Sequence, residues 1–277
     1  MIGSTGNLSF GRPRVTVRAT LAAVAALTAF AMLGAGHAHA AEAAGAKPLL
    51  DPRALAPIDL TGYWVSLVTE DWRFRMIVAD AGDFESIPLT PAGREAAKAW
   101  DMAKDKADPQ AACKAFGAAG LMRIPGRVHI SWQDGATLKV QTDSGTQERL
   151  LHFGGEAPVG TAPSWQGFSV ASWDGTVRPA NAAAPQAKLK VGFLKVVTSG
   201  LRPGYLRTNG VPYSARTQLL EYYDTFTEPD GNSYLVVTTV VQDPENLTEP
   251  FVTSSHFRKI PDGQGWDPTP CRAGVAR

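Results

Sequence analysis

The sequence predicts an all-β protein, an antiparallel β-barrel of about nine or ten strands with one short helix near residues 90–104. Three observations predict this class. Most segments after residue 126 alternate apolar and polar residues with a period of two, they are short, and Gly-, Pro- and Asp-rich turn signals separate them. A β-sandwich shares these features and remains the alternative. The predicted strands do not alternate with long helices, as they do in a parallel α/β sheet.

Ten segments carry the strand pattern, and the Asp134-Gly135 pair between two of them is a strong hairpin signal. The second segment has apolar residues at 72, 74, 76 and 78, with arginines at 73 and 75, which indicates a strand with a period of two. The predicted strands are Gly62–Val68, Trp72–Val78, Arg127–Gln133, Thr137–Thr142, Thr146–Phe153, Ser164–Trp173, Lys188–Ser199, Thr217–Phe226, Tyr234–Gln242 and Phe251–Ile260.

The helix is predicted from its first two residues. Thr90 is a favourable N-cap and Pro91 suits the first helical position, where its missing N–H costs nothing. The Ala- and Lys-rich residues that follow continue the pattern to Lys104, which suggests a surface helix or a plug over the barrel.

Residues 1–40 have the pattern of a signal peptide. Three arginines precede an apolar run from Leu21 to Leu33, and Ala38-His39-Ala40 then places small residues where a signal peptidase cleaves. A membrane anchor is the alternative, but the apolar run is shorter than the roughly 20 residues that cross a bilayer. We therefore expect a periplasmic or secreted protein with no membrane span after cleavage, made of a flexible arm (41–58), a single barrel domain (59–260) and a C-terminal tail (261–277).

The charge balance excludes one class of partner. The 277 residues include 27 Lys and Arg and 26 Asp and Glu, and loss of the leader with its three arginines leaves a small excess of acid. A protein that binds nucleic acid through its backbone carries a surplus of cations, so no nucleic-acid partner is expected. The 44% hydrophobic content is enough for a substantial core.

Two cysteines, Cys113 and Cys271, are the only ones in the chain. In an oxidising compartment a pair is more often bridged than free, so we expect a disulfide that pins the tail to the middle of the chain. The alternative is a nucleophilic Cys113, but no neighbouring His or C-x-x-C motif indicates a lowered thiol pKa.

Three ordered motifs resemble a family of exported bacterial β-rich proteins. The first is D-L-T-G-Y-W at 59–64, the second is W-Q-G-F-S-V-A-S-W-D-G at 165–175, and the third comprises E-Y-Y at 221–223, D-P at 243–244 and E-P-F at 249–251. The resemblance covers roughly residues 59–260. It implies export and a β-rich fold, and it implies no particular activity.

A weaker likeness is to lipocalin-type barrels, which carry Gly-x-Trp on the first strand and a basic residue on the last. Gly62 and Trp64 match the first feature, and Arg258 or Lys259 matches the second. The likeness implies that the basic side chain packs on the Trp at the closed end of a barrel.

Four residues are candidates for acid–base chemistry. His129, His152 and His256 are the histidines outside the leader, and Glu221 lies on a strand face with Tyr223. Imidazole titrates near neutral pH, and a carboxylate among aromatic rings can have a raised pKa. The alternative is that the histidines are surface or hydrogen-bonded structural groups and that Glu221 lies at a rim. Outside the leader no H-x-H or H-E-x-x-H spacing is present, so neither a metal nor another cofactor is predicted.

The predicted strands contain many aromatic residues. We expect most of them to form the core and some of them to line a pocket. An arginine among them offers an anion contact. The candidate ligand-binding residues are Trp72, Arg75, Trp132, Trp165, Phe168 and Tyr223.

The leading functional hypothesis is an exported barrel that binds a small, partly apolar or aromatic molecule. The first alternative is an enzyme on the same barrel that carries out proton-transfer chemistry, such as an isomerase, cyclase, hydratase or hydrolase. The second is a structural envelope protein. The sequence has neither a G-x-S-x-G elbow nor a phosphate-binding loop, and so it does not favour hydrolysis by serine or nucleotide binding.

Overall fold

A computed structural model describes residues 51–175 and 192–274. The predicted signal peptide and residues 41–50 of the predicted arm lie outside the described residues. In chain order the strands are β1 (Gly62–Leu67), β2 (Arg127–Trp132), β3 (Thr137–Thr142), β4 (Ser144–Gly145), β5 (Gln147–Phe153), β6 (Phe168–Asp174), β7 (Phe193–Ser199), β8 (Gly204–Tyr205), β9 (Pro212–Tyr213), β10 (Gln218–Thr227), β11 (Ser233–Gln242), β12 (Phe251–Ile260) and β13 (Thr269–Pro270).

Nine of these strands close into a barrel in the order β1-β12-β11-β10-β7-β6-β5-β3-β2. The predicted barrel class is confirmed, and several boundaries, such as those of β3 and β12, agree with the sequence pattern. The barrel is mixed rather than fully antiparallel, because β5 and β6 run parallel. Predicted strand Ser164–Trp173 begins later than expected, at Phe168. Of the predicted strand Lys188–Ser199, residues 188–191 lie outside the described part of the chain.

One predicted strand is wrong. Residues Trp72–Met76 form a short helix, α2, which begins after Asp71 in a left-handed conformation. The helix exposes 65% of Trp72 and buries Arg75, which is the reverse of what a strand with an apolar inner face requires. Ion pairs from the arginines to Glu70 and Asp83, together with a hydrogen bond from Nε of Arg75 to the distant carbonyl oxygen of Arg123, fix this segment and override the local alternation.

The predicted helix near 90–104 is observed in two pieces. Thr90 caps the first piece as expected, since its hydroxyl accepts a hydrogen bond from the N–H of Gly93 at 3.1 Å, and Asp101 caps the second. The helices in the described residues are α1 (Pro52–Leu55), α2, α3 (Pro91–Lys98), α4 (Met102–Ala107), a 3₁₀ turn (Lys114–Phe116) and α5 (Ala118–Leu121).

The interior of the barrel is filled by side chains that alternate inward along the strands. Burial of each Leu, Val or Phe side chain contributes on the order of 1.5–3 kcal/mol, so this cluster dominates the stability. Trp64 lies in it, and the ammonium of Lys259 sits 5.2 Å from the centre of its ring. Other members of the cluster are Val128, Ile130, Leu138, Val140, Leu151, Leu194, Val196, Tyr223, Leu235, Val237 and Phe257.

A second apolar cluster joins the helical segments to the barrel strands. It combines Leu89 and Ala97 around α3 with Ala118 of α5 and with Leu219 and Val241 of the strands. The segment between β1 and β2 is therefore packed against β10 and β11.

The predicted disulfide is present. Cys113 and Cys271 are bonded, with Cα atoms 5.1 Å apart, and β13 pairs in parallel with β4 just before Cys271. The tail therefore returns to the barrel wall, and the bridge fits an oxidising compartment. Across the described ranges, no helix is both long and apolar enough to cross a membrane.

Candidate functional site

The parallel contact between β5 and β6 is the shortest junction in the barrel wall. It pairs Leu151 with Ser169, His152 with Val170 and Phe153 with Ala171 only, so the first half of β5 extends beyond its neighbour. Two parallel neighbours need a crossover between them, and residues 154–167 provide it. The end of this crossover returns beside the half of β5 that does not pair with β6.

A groove of about 390 Å³ lies at this junction, and its volume is within the range of small-molecule sites. We call it the seam groove. It combines outward-facing residues of β5 with the end of the crossover and the start of β6. Its side chains are Gln147, Glu148, Leu150, His152, Trp165, Gln166 and Phe168.

Three candidate residues from the sequence meet in the seam groove. The rings of His152 and Phe168 are stacked, with centroids 4.8 Å apart and planes 13° from parallel. Trp165 lies nearby in the wall, and the guanidinium of Arg202 covers its ring at 4.4 Å. The aromatic surfaces are thus held in fixed orientations before any ligand arrives.

Gln166 gives the groove a polar anchor. Its amide nitrogen donates to the carbonyl oxygen of Phe116 and to Oε1 of Gln147, each at 2.8 Å. Because a carbonyl oxygen only accepts, these contacts fix which end of the amide is nitrogen. Oε1 of Gln166 is then buried without a hydrogen-bond partner in the described structure, so it is an unmatched acceptor on a residue of the groove wall.

The other two histidines lie on the outer face of the barrel, away from the seam groove. His129 stacks on Tyr63 with centroids 4.1 Å apart, and its Nδ1 is 3.3 Å from Oε1 of Gln141. Nδ1 of His256 is 2.9 Å from the hydroxyl of Thr69 and 3.1 Å from Oε2 of Glu70. The structure does not bring the three imidazoles to one point.

Glu221 lies inside the barrel rather than at a rim. Its two carboxylate oxygens accept hydrogen bonds from Arg149 at 2.6 and 3.0 Å, and both side chains are fully buried. Arg149 also contacts the hydroxyls of Ser169 and Thr198 at 3.4 and 3.2 Å. The carboxylate is therefore committed to an ion pair and has no open contact through which to accept a substrate proton.

Burial shapes the titration of this polar cluster. Burial by itself lowers the pKa of Arg149, but the charge of Glu221 outweighs it and raises the pKa above the ordinary value. Burial, together with the charge of Glu221, raises the pKa of the Tyr223 phenol, although Arg149 opposes this shift. Tyr223 therefore remains protonated and acts as a donor to Glu221, at 3.4 Å.

The remaining ligand-binding candidates, Trp72, Arg75 and Trp132, lie in two other places. Trp72 is exposed on α2, and Arg75 is buried beside Glu70 on the same helix. Trp132 packs against Phe153, with centroids 5.5 Å apart, near the end of the barrel where the indole of Trp173 donates to the carbonyl oxygen of Pro52. None of these residues lines the seam groove.

Sequence reasoning missed Gln147 and Gln166 as groove residues, and no local signal marks either of them. It also missed the buried Arg149. A signal for Arg149 was present, because it shares a strand face with Leu151 rather than with Glu148 and His152. In the described ranges, no group of three or more His, Cys, Asp or Glu side chains is arranged to hold a metal ion.

Comparisons with known proteins add no relative to this picture. No protein-family model matches the chain, and searches of curated proteins and of solved structures find no match either.

Proposed function

We propose that this protein is exported to the periplasm or secreted, and that it binds a small, partly aromatic molecule in the seam groove. The observation that carries the proposal is the meeting of His152, Trp165 and Phe168 in one groove of about 390 Å³. The sequence marked His152 as a candidate for acid–base chemistry and Trp165 and Phe168 as candidates for ligand binding, and all three line this groove.

The groove chemistry narrows the ligand class. Aromatic rings favour a flat apolar body, because stacked rings contribute beyond the area that they bury. The unpartnered Oε1 of Gln166 favours an N–H or O–H group on that body, since an unmatched buried acceptor costs free energy. The interior of the barrel is occupied by the core cluster, so the outer groove is a better location than a lumen.

Binding of N-phenyl-1-naphthylamine tests the proposal, since this fluorescent probe has two aromatic systems and one N–H donor. We expect a saturable rise in its fluorescence with the wild-type protein. Phe168→Ala removes a stacking surface worth about 0.5–1.5 kcal/mol, which weakens binding roughly 2- to 13-fold.

Phe226→Ala is the matched control. Phe226 is 52% exposed and also belongs to a stacked pair, with Tyr234, but it lies outside the groove. This variant should bind the probe like the wild type. The proposal fails if the wild type shows no saturable binding, or if Phe168→Ala binds as tightly as Phe226→Ala.

Catalysis by the histidines and Glu221 remains a hypothesis for which the described residues show no shared point. A structural role in the cell envelope also remains a hypothesis. Neither has an observation of its own that favours it over binding.

A further inference from the structure

Three arginines from distant parts of the chain are buried around one small cleft. Arg75 lies on α2, Arg123 follows α5, and Arg207 lies between β8 and β9. Their exposed fractions are 4%, 7% and 4%. The cleft, which we call the arginine cleft, is also lined by Phe74, Leu206 and Thr208.

The existing contacts hold these guanidinium groups in place. Arg75 donates from Nε to the carbonyl oxygen of Arg123 at 2.7 Å and from Nη1 to Glu70. Arg123 donates to Asp71 at 2.8 Å. Arg207 donates to Oγ of Ser86 at 3.0 Å, and its Cζ lies 3.7 Å from the centre of the Phe74 ring.

Three N–H-bearing nitrogens in this cluster have no partner in the described structure. They are Nη2 of Arg75 and both Nε and Nη1 of Arg207, and all three are buried. A buried donor without an acceptor costs free energy, and the cost is greater when the group is charged. An acceptor in the cleft that takes hydrogen bonds from both Arg75 and Arg207 would remove this cost at both side chains.

Positive charge is also in excess inside the cluster. Three guanidinium groups face two carboxylates, Glu70 and Asp71. Asp83 and Glu85 are nearby but pair with Arg73, which is half-exposed and belongs to the solvated rim.

The pKa values of two arginines reflect chiefly their burial. Burial, and then the charge of Arg123, lowers the pKa of Arg207 to about 10 against the opposing charges of Asp71, Asp83 and Glu85. Arg75 has a lowered pKa, mainly from burial, with Arg123 adding to the effect against the opposing charges of Glu70 and Asp71. Both arginines stay protonated at neutral pH, so the cleft keeps its excess of positive charge.

We propose that the arginine cleft binds an oxyanion, the carboxylate or phosphate group of a small molecule, between Arg75 and Arg207. The cleft offers about 20 Å³, which is space for one water-sized atom or a little more. It therefore admits the terminal oxygen of an anionic group, and the rest of the molecule lies outside. Planar guanidinium groups suit carboxylate and phosphate oxygens alike.

Titration calorimetry with inorganic phosphate and, separately, with acetate tests this site at constant ionic strength. We expect one saturable site per chain for at least one of the two anions, and the comparison tells a phosphate site from a carboxylate site. Arg207→Gln removes a charge and two free donors, so we expect affinity to fall roughly 10- to 100-fold.

Arg216→Gln is the control, because Arg216 is a surface arginine with 67% of its side chain exposed and it lies outside the cleft. It should bind the anion like the wild type. Arg75→Lys is a second test that keeps the charge but removes the free Nη2, and it takes the place of Arg207→Gln if that variant does not fold.

Two results overturn the proposal. The first is the absence of saturable binding of both anions to the wild-type protein. The second is equal affinity in the cleft variants and in Arg216→Gln, which would assign the heat to surface arginines. The seam groove shares no lining residue with the arginine cleft, so binding of N-phenyl-1-naphthylamine reports on a separate site.

Discussion

The ion pair between Arg149 and Glu221 gives the sharpest test of how the barrel interior is stabilised. Glu221→Leu leaves a guanidinium buried among Ser169, Thr198 and Tyr223 with no opposing charge. Loss of one partner of a buried pair typically costs about 3–5 kcal/mol, and two unit charges 4 Å apart at an effective dielectric constant of 20 interact by about 4 kcal/mol. We expect Glu221→Leu to lower the free energy of unfolding by about 3–5 kcal/mol.

Removal of both charges should cost less than removal of one. In Arg149→Met/Glu221→Leu the buried charge is gone, and the hydroxyls of Ser169 and Thr198 still bond each other at 2.8 Å. The phenol of Tyr223 loses its partners, which costs about 1–3 kcal/mol. The double variant should therefore be more stable than Glu221→Leu alone.

Urea denaturation followed by far-ultraviolet circular dichroism measures these differences. Glu95→Gln, which removes an exposed ion pair with Lys98, is the control and should leave the free energy of unfolding unchanged within error. The reasoning is refuted if Glu221→Leu lowers the free energy of unfolding by less than about 1 kcal/mol. It is also refuted if the decrease in the double variant equals the sum of the decreases in Glu221→Leu and Arg149→Met measured singly.

Two further predictions concern the tail and the pH dependence of stability. The disulfide spans 158 residues, so Cys271→Ser should lower the free energy of unfolding by about 2–5 kcal/mol and speed hydrogen exchange in residues 105–125; unchanged stability in urea would contradict this. Burial opposes ionisation of Asp243, but hydrogen bonds from Asn246 and Ser214 outweigh it and lower its pKa. The ionised form therefore stabilises the fold above about pH 4, and this contribution is lost as the pH falls through the lowered pKa of the folded state. Asp243→Asn should therefore flatten the decline in unfolding free energy below about pH 4, and an unchanged decline would contradict this prediction.

The strand pattern could be predicted because each barrel strand has one face in the core. Thr137–Thr142 and Phe251–Ile260 agree with the observed strands for this reason. The alternation also separated Val128 and Ile130, which are buried, from His129, which faces outward. At Trp72–Met76 the local alternation does not decide the structure, because Arg75 pairs with Glu70 and donates a hydrogen bond to the distant carbonyl oxygen of Arg123.

The sites could be predicted only in part. Aromatic content indicated Trp165 and Phe168, but the groove itself depends on which strands become neighbours across the crossover. The arginine cleft joins residues as far apart as Arg75 and Arg207, and local spacing carries no information about such a meeting. Only the packing of loops against α2 and α5 brings these charges together.

The number of barrel strands has a consequence for the seam. Around a closed ring, neighbours that alternate in direction must be even in number, and this ring has nine strands. At least one pair of neighbours must therefore point the same way, wherever the chain places it. Here that pair is β5 and β6, and its crossover supplies Trp165 and Gln166. A tenth strand inserted at this position would restore full alternation and would fill the space that the groove now occupies.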